Sequence, residues 1–153
     1  MVCAVGTVQE EVGARGAGVA ARQVKPDFAI ILEGTTAADT PGVEPRENPT
    51  KLGGGPALTI VDRSVIVNRK LLEHIKRVAS ENKIPFQYKK PIYGGTDAGR
   101  IQQVGRGVPC AVISVPTRYL HSPVSIVKKS DVELCVALLT KILEATDRDV
   151  TSL

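Results

Sequence analysis

Tryptophan is absent from this 153-residue chain, which has only two phenylalanines and three tyrosines. Stacking platforms for single-stranded nucleic acid need several exposed rings, so no nucleic-acid partner is expected. The three cysteines, Cys3, Cys110 and Cys135, form no C-x-x-C pair and no ladder. An odd count without a framework fits a reducing compartment, and each lies in an apolar run where a free thiol acts as a small hydrophobe. No apolar stretch approaches the roughly 20 residues that span a bilayer, and the N-terminus lacks the charged-then-apolar build of a signal peptide. No membrane partner and a cytoplasmic location are the expectations. The net charge of +4 is modest. Its cations (Arg63, Arg69, Lys70, Lys89, Lys90, Lys128, Lys129) are scattered, as on a solvated surface. What remains, 42% apolar and 24% charged, is the balance of one soluble globular domain.

The pattern along the chain alternates. Val2 to Val8 is a short β-branched run that predicts a buried strand, and with only Met1 before it the start has the look of a cut edge. Val12 to Val24 predicts an Ala-rich helix in which Gly13, Gly16 and Gly18 allow close packing on a strand. Phe28 to Leu32 predicts a second strand, completing a β-α-β unit with a parallel pair. Residues 33–56 have little periodicity, and a loop of that length tends to be functional. Ala57 to Val61 predicts a strand. Residues 69–81 predict an amphipathic helix capped by Asn68, with Leu71, Leu72, Ile75, Val78 and Ala79 on one face. Phe86 to Tyr88 predicts a brief strand and Gly94 to Gly99 a turn into a short helix. Cys110 to Val115 is the strongest strand, closed by Pro116. A final helix from Ser130 to Thr146 carries a stripe of Val132, Cys135, Val136, Leu139, Ile142 and Leu143, opened by a Ser130–Glu133 capping box. Strands alternating with helices predict an α/β layered fold.

In open α/β sheets, sites gather at the carboxyl ends of strands. Glu10 and Glu11 follow the first predicted strand, Glu33 the second, and His121 lies in the turn after the strongest one. Carboxylates and imidazole together suit zinc, cobalt or manganese. Adjacent side chains at a strand end point in different directions, so one glutamate can bind metal while the other serves as general base toward water. Taken alone, a Glu-Glu pair is explained as well by a helix N-terminus, which favours acids. A lone turn histidine is more often just hydrogen-bonded. His74, off the apolar stripe of its helix, has no assigned role. No dinucleotide fingerprint or P-loop is present. The Gly94–Gly99 turn fits either an anion cradle or a tight turn needing positive φ.

Five ordered blocks carry a resemblance. Thr7-Val8-Gln9-Glu10-Glu11-Val12-Gly13 with Arg15-Gly16-Ala17 resembles the catalytic signature of the M42 metallo-aminopeptidases, a family including glutamyl aminopeptidases, TET peptidases and proteins labelled endoglucanase. Glu33-Gly34-Thr35-Thr36 with Ala38 to Gly42, then Leu52 to Ala57, Gly94 to Gly99 and Pro116 to Pro123 follow in family order. The resemblance implies a three-layer α/β/α zinc-peptidase-like domain with a mixed, mostly parallel sheet. It implies Glu10 as general base, Glu11 and Glu33 as ligands of the two metals, and His121 as a further ligand. Many relatives have Asp where Glu33 stands. Gly94, Gly95 and Asp97 would line the substrate pocket. The implied cofactors are two divalent ions, zinc or cobalt, the substrates short peptides, and the assembly a homo-oligomer.

The family also has, upstream of the Glu-Glu block, a His-x-Asp metal motif, a bridging Asp and a small β-rich assembly domain, none of which this sequence shows. The whole chain, 1–153, therefore reads as the C-terminal part of a catalytic domain, expected to expose an apolar edge and to associate with itself or with the missing N-terminal half. Two other readings stand beside it. One is a non-catalytic or decayed subunit that keeps the fold. The other is glycoside hydrolysis, which adjacent glutamates and scarce aromatics disfavour.

Overall fold

The computed structural model describes residues 1–90 and 94–146. Its centre is β4 (Cys110–Arg118), which carries Ala111, Val112 and Ile113 fully inside. Parallel to it runs β1 (Ala29–Thr36), paired residue by residue from Ala29↔Cys110 to Thr36↔Thr117. The short β2 (Ala57–Leu58) is antiparallel to β4 and parallel to β3 (Gln87–Tyr88), and β5 (Ile126–Val127) pairs with the end of β4. The sheet order is β1-β4-β2-β3, with β5 beside β4. This is the α/β fold that the alternating pattern predicts, with the mixed, mostly parallel sheet that the family resemblance implies.

The helices fall into two packed pairs, α2 (Arg69–Glu81) with α4 (Lys129–Ala145), and α1 (Arg15–Val24) with α3 (Ala98–Ile101). Leu71, Ile75 and Val78 of α2 meet Leu138 and Ile142 of α4 in one core with Leu58 and Ile113 of the sheet. Each such side chain contributes about 2 kcal/mol by leaving water. The α2 helix spans the predicted residues, and Asn68 Oδ1 accepts from the Leu71 N–H at 3.0 Å as an N-cap does.

Four expectations are corrected. Val2 to Val8 forms no strand: apart from the half-buried Thr7 it stands exposed, because a strand needs a neighbouring strand to pair with and no described residues supply one. The β-α-β unit is therefore not formed; α1 joins an unpaired run to β1. Pro116 does not close β4, which continues to Arg118. The Thr117 carbonyl accepts from Ala37 on the β1 side, so the neighbouring Pro116 turns its missing N–H away from β1, into the interval between β2 and β5. The Ser130–Glu133 box is absent. Helix α4 starts one residue earlier without a side-chain cap, and Glu133 pairs with Lys129 instead. Finally, only part of the α4 stripe is inside. Of that stripe Cys135 and Ile142 are buried and Leu139 is half-buried, while Val132, Val136 and Leu143 are exposed; Leu138, outside the predicted stripe, is buried instead. Cys110 and Cys135 are buried as expected, and burial pushes their thiols up to about 12 and about 11; Cys3 is exposed.

The residue that displaces the capping box is Asp131, fully buried in the first turn of α4. Its carboxylate accepts from the N–H groups of Gly53 at 2.7 Å and Gly55 at 3.0 Å. Gly55 has φ +75, and a Cβ there would lie 2.4 Å from the Pro85 carbonyl oxygen. The long connection after β1 is thus fastened to the core rather than loose. It contains a single 3-10 turn, Pro45–Glu47, and is held at its other end by Asp39 and Arg118, Oδ1 to Nε at 2.8 Å. Asp131→Ala removes two charge-assisted hydrogen bonds and is expected to destabilise the chain by about 3 kcal/mol, read from the urea midpoint. An unchanged midpoint would contradict this role.

Candidate active site

The turn that carries Glu10 and Glu11 is wound tightly onto the start of α1. Ala14 and Arg15 donate their N–H groups to the carbonyls of Glu10 and Gln9 at 2.8 and 3.1 Å, and Gly16 donates to Val8 at 3.0 Å. A Cβ at Gly16 would lie 2.6 Å from the Val8 carbonyl oxygen, so this close approach needs glycine. Gln9 and Ala14 both have left-handed backbone, φ 59 and φ 53. Tyr119 and His121, across the site in the turn after β4, do too, with φ 59 and φ 65. For non-glycine residues this costs about 1–3 kcal/mol each and is found where a fixed geometry matters more than local stability. Ser122 helps hold the second turn, its N–H donating to the Tyr119 carbonyl at 3.1 Å.

Together the two turns bring His121 Nε2 within 3.1 Å of Glu11 Oε1, with both side chains exposed. Glu33 does not follow β1, as the sequence suggests, but lies inside it opposite Ser114, because pairing with β4 extends the strand through Gly34 to Thr36. Ser114 Oγ donates to Glu33 Oε1 at 3.3 Å. Burial pushes the Glu33 carboxyl up to about 7; Glu10 and Asp62 add to the rise, while Lys89 and the Ser114 hydrogen bond oppose it. Glu10 is also raised, by burial first and then by Glu11 and Asp97, with His121 opposing. The four residues Glu10, Glu11, Glu33 and His121 all line one cavity of about 860 Å³, a size that suits a small ligand.

Gly94 and Gly95 line the same cavity; Asp97 does not. It is buried behind the wall, its Oδ2 accepting from Thr7 Oγ1 at 2.6 Å. That wall is built by a residue the sequence reading passed over. Asp62 Oδ1 accepts from the N–H groups of Ser64 and Val65 and from Ser64 Oγ, at 2.6, 2.9 and 2.8 Å. Ser64 Oγ then accepts from the Thr96 N–H at 3.1 Å. The signal was present as Asp62-Arg63-Ser64, an Asx turn. Arg63 and Lys89, two of the seven scattered cations, line the cavity together with Arg100. His74 is buried, with Nδ1 3.0 Å from Arg77 Nη2, and does not line it.

Among the described residues no three His, Cys, Asp or Glu side chains converge as a group that could hold a metal ion. The donors nevertheless suit one in type. An imidazole beside a carboxylate is a hard-to-borderline pair, and the crowding of Glu10 with Glu33 is a repulsion that a cation would relieve.

The M42 glutamyl aminopeptidase model matches residues 1–138. The chain belongs to this M42 family. It is 40% identical to the FrvX protein of Escherichia coli K12 over 135 residues, which cover 88% of this chain and 38% of that one. A TET aminopeptidase from the marine sediment archaeon Thaumarchaeota archaeon SCGC AB-539-E09 superposes with a TM-score of 0.93 at 43% identity, covering 96% of this chain and 41% of the other. The TET1 peptidase of Pyrococcus horikoshii, described as assembling into a tetrahedron or a large octahedral shell, matches at TM-score 0.76 and 34% identity, with 89% and 38% covered. This M42 chain thus spans about two fifths of the relatives it matches. Among its described residues, no helix is long and apolar enough to cross a membrane.

The raised Glu33 carboxyl gives a testable sign. Unfolded, it releases its proton near the ordinary 4.5, whereas the folded chain holds it to about 7. Its contribution to stability is therefore whole below 4.5 and is lost as pH rises through 7. In metal-free chain, Glu33→Gln is expected to remove that loss, a gain on the order of 2 kcal/mol above neutral pH. Urea melts across this range check it; parallel pH profiles for the two chains would contradict it.

Proposed function

We propose that this chain is the C-terminal part of the catalytic domain of a metal-dependent, cytoplasmic aminopeptidase that removes N-terminal residues from short peptides. The observation that carries the reading is the convergence of Glu10, Glu11, Glu33 and His121 on one cavity from two backbone-strained turns and a strand. Glu11 and His121 would hold one divalent ion and Glu33 a second, zinc or cobalt. Such ions, when bound, lower the pKa of water and polarise a carbonyl oxygen.

The chain's own groups do the rest. Glu10, half-buried and with raised proton affinity, accepts a proton from the attacking water and returns it to the leaving amine. Ser114 and the β1–β4 register hold Glu33 in place. Gly94 and Gly95, kept in position by Ser64 and Asp62, form the wall against which the substrate lies; Asp97 supports that wall from behind. The missing part of the ligand shell and the outer edge of β1, which no described strand covers, would both be completed by an N-terminal half or by other subunits. Val2, Val5, Val8 and Leu32 form exposed apolar surface for such a contact. A homo-oligomer like the shells formed by TET1 follows from the same reading. A sugar substrate is disfavoured because no described phenylalanine, tyrosine or tryptophan lines the cavity to stack on one.

The test is zinc binding by calorimetry together with release of free amino acid from leucyl peptides. Glu11→Ala is expected to weaken zinc binding. Glu10→Gln should leave it intact while lowering any turnover about 100-fold or more. Equal zinc affinity in the parent and Glu11→Ala chains would sink the proposal.

A further inference from the structure

Helix α4 has two apolar stripes side by side. The inner one, Cys135, Leu138 and Ile142, is buried in the core with α2 and the sheet. The outer one is Val132, Val136, Leu139 and Leu143, with Leu139 half-buried and the other three exposed. Helix α2 shows what a solvated outer face looks like in this chain: its exposed residues are Arg69, Lys70, Glu73, Arg77, Ser80 and Glu81. A helix that is apolar on two faces is normally covered on both, and the outer stripe of α4 instead faces water.

The stripe is symmetric under reversal. Its members stand four, three and four residues apart, the spacing of a helix–helix seam. Laid antiparallel on a second copy, Val132 comes level with Leu143 of that copy, and Val136 with Leu139. Each smaller side chain then meets a larger one, as interdigitating layers require, whereas a parallel pairing sets Val on Val and Leu on Leu. The charges follow the same rule. Lys129 and Glu133 pair at one end of α4, and Lys141 and Glu144 at the other. Reversal sets one pair beside the other with the order inverted, so that Glu133 is nearly level with Lys141 of the second copy and Lys129 with Glu144. Such rim pairs contribute little energy but favour one direction over the other. We propose that a second copy of this chain docks on the outer stripe, α4 antiparallel to α4, about a twofold axis midway between Val136 and Leu139. The contact uses none of Val2, Val5, Val8 and Leu32, and neither a metal nor a peptide takes part, so it stands or falls apart from the aminopeptidase reading. Four aliphatic side chains on each copy fall short of the roughly 800 Å² per partner of a stable complex, so the pairing is weak and depends on concentration.

The experiment is sedimentation velocity on the full chain, with Cys3→Ser throughout to remove the exposed thiol. A reversible dimer with Kd on the order of 10–100 µM is expected. Val136→Lys places a charge at the most exposed position of the stripe, 62% accessible. It should weaken the dimer more than about tenfold while leaving the urea midpoint of the dilute, monomeric chain unchanged. Direction is read by crosslinking. Mixed Val132→Cys and Leu143→Cys chains should oxidise to a joined pair, since a disulfide needs Cα atoms within about 7 Å. Neither chain should crosslink alone, because equivalent positions then lie about 16 Å apart along the helices. If Val136→Lys fails to fold by circular dichroism, the crosslink decides. A monomer at all concentrations, a dimer that Val136→Lys leaves intact, or Val132→Cys chains that crosslink to each other overturns the inference. The first outcome would leave the stripe to another occupant, such as an N-terminal half; the second would put the contact elsewhere, on the β1 edge; the third would make the pairing parallel.

Discussion

The eight-residue parallel ladder between β1 and β4 is the constraint on which the rest of the structure depends. It buries Ile31 against Ala111, Val112 and Ile113, and it stops only where the chain must leave the sheet. Because it runs through Gly34 and Thr35, it carries Glu33 into the protein, opposite Ser114, instead of leaving it on a solvated loop. Its two C-terminal ends then emerge side by side. The Asp39–Arg118 pair, half-buried and bidentate through the Asp39 carbonyl, locks them together and holds the Asp39 carboxyl below its usual range. The turn bearing His121 starts directly after that lock.

What the ladder organises is costly. Carboxylates are crowded into a half-buried cavity, which raises the proton affinity of Glu10 and Glu33, and four residues around them have left-handed backbone without being glycine. Packing elsewhere offsets this cost, chiefly the α2–α4 core against Leu58 and Ile113. A chain selected for stability alone would hold neither feature. Their coincidence on one cavity, in a member of an aminopeptidase family, is what makes the site more than a set of polar residues.

Helix α2 was legible to the residue because its signals are local: a period-3.6 stripe and an Asn68 cap within reach of its own first turn. The fold class followed from alternation in the same way. Strand extents were not legible. Whether Val2 to Val8 pairs, and how far β1 and β4 continue, depends on distant neighbours rather than on β propensity. Asp131 shows the same limit in a helix: Ser130 and Glu133 had the right spacing for a box, but a buried carboxylate serving Gly53 and Gly55, more than 70 residues away, fixed the helix start instead. At the site, strand-end logic and family resemblance named Glu10, Glu11, Glu33 and His121. They missed the Asp62–Ser64 scaffold and the cations Arg63, Lys89 and Arg100, which converge only through the fold.

The central claim is that Glu11 and His121 act together toward one divalent ion, with Glu33 facing a second. Visible absorption of cobalt(II) added to the purified chain tests it most directly, since low-coordinate cobalt bound by nitrogen and oxygen absorbs far more strongly than the hydrated ion. The account predicts an intense band that changes on His121→Ala and fades on Glu11→Ala. A spectrum that stays that of hydrated cobalt, and is the same in all three chains, would contradict it.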